Sequence, residues 1–258
     1  MRTIIQDTWN QPDDLELIEF MLKNKIKFSI LSKSQILKYN SREIDALFCD
    51  TKIIQLKLQK DRYIYNVPKT YPECFHASND ILDLYHRKIQ IITLQQFFDS
   101  IKDLSNITQP FFIKPFLNDK SFNALVVNTK WDVAHLKSTC KDPENTKIYI
   151  SEPAKFINEF RLFIGKNKIY GIVESSNYIL DPHDIRSVDG PPKTFIQEIL
   201  KRIDHHAFYV VDVGMLSTGK WAVVEVNPPF SLSSYDLDIK CYYNFCKDAW
   251  KNIIGMKQ

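Results

Sequence analysis

Asp212, Glu225 and Asn227 bring three hard oxygen ligands to two consecutive apolar runs, Tyr209 to Val213 and Trp221 to Val226. Both runs are rich in β-branched and aromatic residues and read as strands, with Gly214 to Lys220 as the turn of a hairpin. Pairing lays Asp212 close to Glu225 across the ladder, and the period of two points Glu225 and Asn227 to one face and Val226 to the other. Two carboxylates facing inward from apolar strands repel each other and are costly to desolvate unless a cation or a basic side chain neutralises them. Mg²⁺ suits such a set, with Mn²⁺ as a substitute, because it takes oxygen ligands, keeps several waters and binds through one or two carboxylates plus substrate phosphates. A solvent-facing hairpin whose acids only aid solubility is the other reading of the same spacing.

Cationic and hinge residues precede this hairpin. Pro110-Phe-Phe-Ile-Lys-Pro115 is an apolar strand ending on Lys114, and a lysine emerging from such a strand usually has an anionic partner, for which a phosphate is suited. The stretch from Phe116 to Val127 reads as a loop carrying Lys120 that returns into a further strand. Such a flap can close over a triphosphate with Lys120 and backbone N–H groups as donors. Alternatively, Lys114 snorkels at an edge and Lys120 sits in a turn. Lys147 to Ile164 reads as two strands joined by a short connector, where Ile150, Ser151, Glu152 and Pro153 can offer backbone groups to an adenine edge. Glu159 and Arg161 share a face beyond it. Arg161 can bind a phosphate or a carboxylate bidentately, or it can pair with Glu159 on a solvated surface.

The elements that must position these groups follow from pattern and composition. A chain of 258 residues with 44 % hydrophobic and 25 % charged residues and only six glycines reads as folded, with one large or two modest domains. Strands at Arg2 to Ile5, Lys27 to Leu31 and Ile44 to Cys49 alternate with a helix at Pro12 to Lys23, which indicates a small α/β lobe with a partly parallel sheet. Tyr63 to Pro72 reads as a connector, followed by helical patterns at Ile81 to Lys88 and Leu94 to Ile101. The expected division is an N-terminal α/β lobe over residues 1–105 and a nucleotide-binding and catalytic region over residues 106–258. The formal net charge of +3 argues against a nucleic-acid-coating role, and no apolar run reaches the length of about eighteen residues that spans a membrane. The N-terminus carries no secretory h-region. Five cysteines without a C-x-x-C pair indicate neither a disulfide framework nor a zinc site, and a reducing cytoplasm is the expected location. His205 and His206 read as structural.

The ordered set resembles the ATP-grasp superfamily. The resemblance runs from about Phe111 to Tyr235 and rests on Phe112-Ile-Lys-Pro115, Ile150-Ser-Glu-Pro153, Asn158-Glu-Phe-Arg161, Asp212 and Val224-Glu-Val-Asn-Pro-Pro229. It implies an α/β (α+β) ATP-grasp fold behind an N-terminal pre-ATP-grasp-like lobe. It implies further that Lys114 contacts ATP phosphates, that Glu152 and its neighbours form the adenine hinge, and that Glu159 binds ribose. Arg161 matches a phosphate- or substrate-binding arginine, while Asp212, Glu225 and Asn227 match the magnesium ligands. Phe230 to Tyr235 is similar to the stretch that lines the acceptor pocket in small members. Two positions depart from the family pattern. The flap from Phe116 to Val127 lacks glycine, which shifts weight to Lys120, and Val210 stands where larger members carry a basic residue, for which Arg186 or Lys168 is a candidate substitute.

The resemblance implies an ATP- and Mg²⁺-dependent ligase that joins a carboxylate to an amine through an acyl-phosphate, with a small molecule or a peptide terminus as acceptor. No protein nucleophile is needed, and neither a G-x-S-x-G elbow nor a zinc-type histidine spacing is present. A kinase acting on a hydroxyl, and a nucleotide-binding module without turnover, are the alternatives. The aromatic-rich helix at Tyr242 to Trp250 packs either on its own core or on a second subunit, which leaves a homo-oligomer open.

Overall fold

The computed structural model describes residues 1–8, 14–62, 79–101, 107, 109–116, 122–175, 190–203 and 207–255. Lys120, Arg186, His205, His206 and the connector at Tyr63 to Pro72 lie outside the described residues.

The first lobe holds β1 (Arg2–Gln6), α1 (Asp14–Lys23), β2 (Phe28–Leu31), α2 (Lys33–Lys38), β3 (Ile44–Phe48) and α3 (Thr51–Lys60). Its three strands are parallel in the order β2-β1-β3, as the strand–helix alternation predicts. Ser32 starts α2 with a capping box, accepting from the Gln35 amide while the Gln35 side chain accepts from the Ser32 N–H.

A second, antiparallel sheet has the order β4-β7-β5-β6, built from β4 (Ile89–Thr93), β5 (Phe111–Pro115), β6 (Leu125–Val127) and β7 (Lys147–Ser151). Helices α4 (Leu94–Ser100) and α5 (Lys130–Thr139) cover it around Phe97, Ile113, Val133, Leu136 and Ile148. The residues ahead of it fold differently from the helix expected at Ile81 to Lys88. A 3-10 helix at Asn79–Tyr85 gives way to β4, because Ile89-Gln-Ile-Ile-Thr93 carries β-branched residues that pair with β7 from Ile89↔Ser151 to Thr93↔Lys147. This sheet therefore takes a strand from before residue 105.

The third sheet, also antiparallel, runs β11-β10-β8-β9, with β8 (Phe156–Gly165), β9 (Lys168–Glu174), β10 (Phe208–Leu216) and β11 (Trp221–Asn227). One face meets α6 (Lys193–Arg202) and the 3-10 helix through Leu162, Ile164, Tyr209, Val211, Val213 and Ile199. The other meets the first lobe and α7 (Ile239–Ile253) through Phe163, Phe208, Val210, Phe48 and Phe245. Helix α7 thus packs on its own core, its aromatic residues Tyr242, Tyr243, Phe245 and Trp250 being buried there. The β10–β11 turn is shorter than expected. Gly214 stays in the strand opposite Glu159, where an added Cβ would come within 2.6 Å of the Phe156 ring and 2.7 Å of the Asn158 carbonyl oxygen. Gly219, at φ +82°, makes the reversal instead. No described helix is long and apolar enough to cross a membrane.

Candidate active site

Three neighbouring strands carry the charged row. Arg161 on β8 lies opposite Asp212 on β10, which lies opposite Glu225 on β11, and Asn227 pairs with Val210 two residues further along. Because period two governs each strand, Glu159 and Arg161 share the face of Asp212. The hairpin is therefore not a solvated surface: Arg161 is 6 %, Asp212 5 % and Asn227 7 % exposed.

Burying those carboxylates is tolerable because each has a cation. Arg161 donates from Nε to Asp212 Oδ1 and from Nη2 to Asp212 Oδ2, each at 2.7 Å, a parallel fork that matches carboxylate geometry. Lys114, reaching over from β5 of the second sheet, forms a salt bridge with Glu225 Oε2. Asn227 Nδ2 donates to Asp212 Oδ2 at 3.2 Å and to Glu225 Oε1 at 2.8 Å, so one amide stands where both acids converge. Burial pushes the Asp212 carboxyl up, with Arg161 pulling against it. Burial also opposes ionisation of Glu225, but Lys114 and the Asn227 amide outweigh it and hold that carboxyl below its ordinary value. Glu159, half-buried and facing the negative charges of Asp212 and Glu225, is pushed up to about 7, mainly by desolvation.

Arg161 has a second partner. The Tyr235 ring lies 4.1 Å from the guanidinium carbon, within stacking range. The chain reaches that position through a bent segment in which Ser231, Tyr235 and Asp236 adopt φ of 59°, 51° and 65°. Such left-handed residues cost on the order of 1 kcal/mol each and persist where surroundings over-determine them. Here Ser231 Oγ donates to the Cys49 carbonyl at 2.5 Å, and Tyr242 Oη donates to the Leu232 carbonyl at 2.5 Å, tying the segment to the first lobe and to α7.

The residues from Ile150 to Pro153 form the passage from the second sheet into the third. Ile150 and Ser151 still pair on both sides, with Gln90 and Ile113 and with Ile89 and Phe112, so Glu152 and Pro153 are the first residues beyond the ladder. Ser151 Oγ donates to the Glu152 carbonyl at 3.0 Å, and the Lys155 carbonyl accepts from Ser217 N at 3.0 Å, fastening the connector to the β10–β11 turn. Lys168 does not substitute for a cation at Val210. It sits opposite Gly165 at the β8–β9 hairpin, with its amine 5.3 Å from the centre of the Tyr170 ring, and the cation beside Asp212 is Arg161.

Sequence reading overlooked Arg87, which follows the 3-10 helix and donates to the carbonyls of Val223 at 3.3 Å and Val224 at 3.0 Å. Its only signal was a basic residue just before a β-branched run. A cavity of about 820 Å³ opens elsewhere, among Tyr39, Arg42, Lys60, Arg62 and Ile253, and touches none of these groups.

Two antiparallel sheets joined by a short hinge, with a lysine of one meeting a carboxylate of the other, define an α/β class shared with known structures. The D-alanine–D-alanine ligase from Bacillus anthracis is similar at a TM-score of 0.62 and 15 % identity over 99 % of both chains. A RimK domain protein ATP-grasp from Sphaerobacter thermophilus matches at 0.60 and 14 % over 96 % of this chain and 98 % of that one. The D-cycloserine synthetase DcsG matches at 0.61 and 10 % over 97 % and 99 %. Among curated proteins, none matches the sequence. The family described as ATP-grasp domain, R2K clade family 2, matches residues 85–245, and the chain belongs to the ATP-grasp superfamily.

Proposed function

We propose that the protein is an ATP- and Mg²⁺-dependent ligase that joins a carboxylate to an amine through an acyl-phosphate. The observation that carries this reading is the salt bridge of Lys114 with Glu225 across the two sheets, beside the Arg161–Asp212 pair. It supplies a set of paired charges that a phosphate and a divalent cation can exchange into.

The donor set fits such a cation. The Asn227 amide already bridges both carboxylates, and turning it over presents Oδ1 in place of Nδ2. Among the described residues no cluster of three or more His, Cys, Asp and Glu exists, so a cation here rests on two carboxylates and one amide. That number suits Mg²⁺ or Mn²⁺, which retain waters and phosphate oxygens, and when bound the ion supplies charge neutralisation at those oxygens.

The remaining work falls to side chains and backbone. Lys114, released from Glu225, reaches an outer phosphate and lowers the cost of bringing a nucleophilic carboxylate to it. Glu152 and Pro153, beyond the ladder, border the adenine, and Glu159 accepts from ribose hydroxyls. Arg161, held by Asp212 and flanked by Tyr235, orients the carboxylate substrate. Lys120 completes the phosphate clamp from the flap. Positioning and electrostatics then provide the catalysis, with no covalent protein adduct. The ligase neighbours among the similar structures support the same kind of reaction. The acceptor is a small molecule or a peptide terminus, and the division near residue 105 into an N-terminal α/β lobe and a nucleotide region belongs to the same proposal, with β4 reaching back across that line to join the sheet that carries Lys114.

The test is ADP release across acid and amine pairs. The reading requires release only with both present, together with a new amide in the product. Transfer of label from the ATP γ-phosphate into a stable phosphoester would replace it with a kinase, and binding without turnover on any pair would replace it with a nucleotide-binding module.

A further inference from the structure

Arg87 lies between the 3-10 helix Asn79–Tyr85 and β4, a strand of the sheet that also carries Lys114. Its guanidinium carbon sits 5.3 Å from the Tyr85 ring centre and 5.7 Å from that of Phe156, and Nη1 and Nη2 donate to the successive carbonyls of Val223 and Val224. Successive carbonyls of a regular strand point to opposite edges, so one planar fork cannot ordinarily reach both. Here it can because β11 is irregular. Asp212 pairs with Glu225 while Val213 pairs with Val223, and Val224 is the extra residue of a β-bulge.

That bulge has a consequence for the charged row. Residues two apart on a regular strand share a face. Val223, however, is fully buried in the core with Val213 and Leu162, whereas Glu225 lies on the opposite face with Asp212 and Asn227. Only the inserted Val224 lets both side chains take their places. We propose that Arg87 is a positioning residue, which by gripping the Val223 and Val224 carbonyls holds the bulge that turns Glu225 toward Asp212 and Asn227. This inference rests on the reading of those three residues as cation ligands. Lys114 and Arg87 would then act on consecutive residues of β11, one on the Glu225 side chain and the other on the main chain that aims it.

The test uses Arg87→Met and the more conservative Arg87→Lys in the full chain. Without ligand, amide hydrogen exchange at Val223 to Val226 should quicken about tenfold in Arg87→Met and by less in Arg87→Lys, with amides of β8 unchanged and circular dichroism retained. With Mn²⁺ and a non-hydrolysable ATP analogue, the Mn²⁺ concentration for half-maximal analogue binding should rise about tenfold, the usual scale for losing a group that orients a ligand. Unchanged exchange in both variants overturns the clamp. So does quickened exchange with unaltered Mn²⁺ dependence, or a loss of analogue affinity that is the same at every Mn²⁺ concentration, which would make Arg87 a nucleotide contact. Should Arg87→Met fail to fold, Arg87→Lys carries the same criteria. Analogue binding by the unsubstituted protein that ignores Mn²⁺ would instead overturn the cation reading, and the ligand-free exchange result would still judge the clamp.

Discussion

Arg161 and Asp212 occupy directly opposed positions on adjacent strands and are joined by two parallel hydrogen bonds of 2.7 Å, both side chains being more than nine-tenths buried. An ion pair of this kind is costly to break from one side only. Its energetic signature is asymmetric: removing one partner leaves a buried charge, whereas removing both leaves none.

Arg161→Ala should therefore destabilise the fold by about 3–5 kcal/mol, and the double change Arg161→Ala, Asp212→Ala should recover a substantial part of that loss. Urea denaturation of the two single variants and the double variant measures it. Additive losses would show that the pair is not energetically coupled.

Glu159 makes stability depend on pH. Its carboxyl is pushed up to about 7 in the fold from an ordinary 4.5, so the folded chain holds the proton more tightly than the unfolded chain. Its contribution is fully present below the unfolded value and is lost as pH rises through 7. Relative to Glu159→Gln, the protein should lose about 2 kcal/mol between pH 4.5 and 7.5, a figure discounted for partial solvent access. Thermal or urea unfolding across that range gives the difference, and a gap that stays constant or widens in the other direction would contradict the assignment.

Lys114→Met should release Glu225 from the cation that offsets its burial. The Glu225 carboxyl, held down in the intact protein, should then titrate above the ordinary glutamate value, as read by carbon-13 NMR. If Lys114 reaches an outer phosphate, the same change should weaken ATP about tenfold or more and ADP much less. Equal weakening of both nucleotides would place Lys114 at the inner phosphates.

Glu225→Ala and Asn227→Ala should each abolish Mg²⁺-dependent ATP binding while circular dichroism stays close to that of the parent, since neither side chain belongs to the apolar core clusters. Calorimetric titration with ATP in the presence and absence of Mg²⁺ provides the measurement. Unaltered Mg²⁺ dependence in both variants would remove these residues from the cation site.

Much of this arrangement is written locally. β-branched runs and alternation set the strands at β1, β2, β3, β5, β7, β8, β10 and β11, and period two alone places Glu225 and Asn227 together on β11, because backbone geometry dictates which neighbours share a face. What alternation cannot encode is an inserted residue. The strand β4 depends on pairing with β7 more than fifty residues further along the chain, and the bulge at Val224 is met by Arg87 from far earlier in the sequence. The choice of partner for each charge was likewise decided by packing. Arg161 was free in the sequence to pair with Glu159 two residues away, yet strand registry brings Asp212 opposite it. Lys114 could have met solvent, yet the second sheet brings it onto Glu225, and Lys57, an unremarkable helix lysine in the sequence, is wholly buried with Asp61 and the Tyr39 carbonyl. Residue types thus determined which groups were available and which face each took on its own strand. Which charges meet depends on how the sheets stack, because the cost of leaving any one of them unpaired arises only when tertiary structure removes the water.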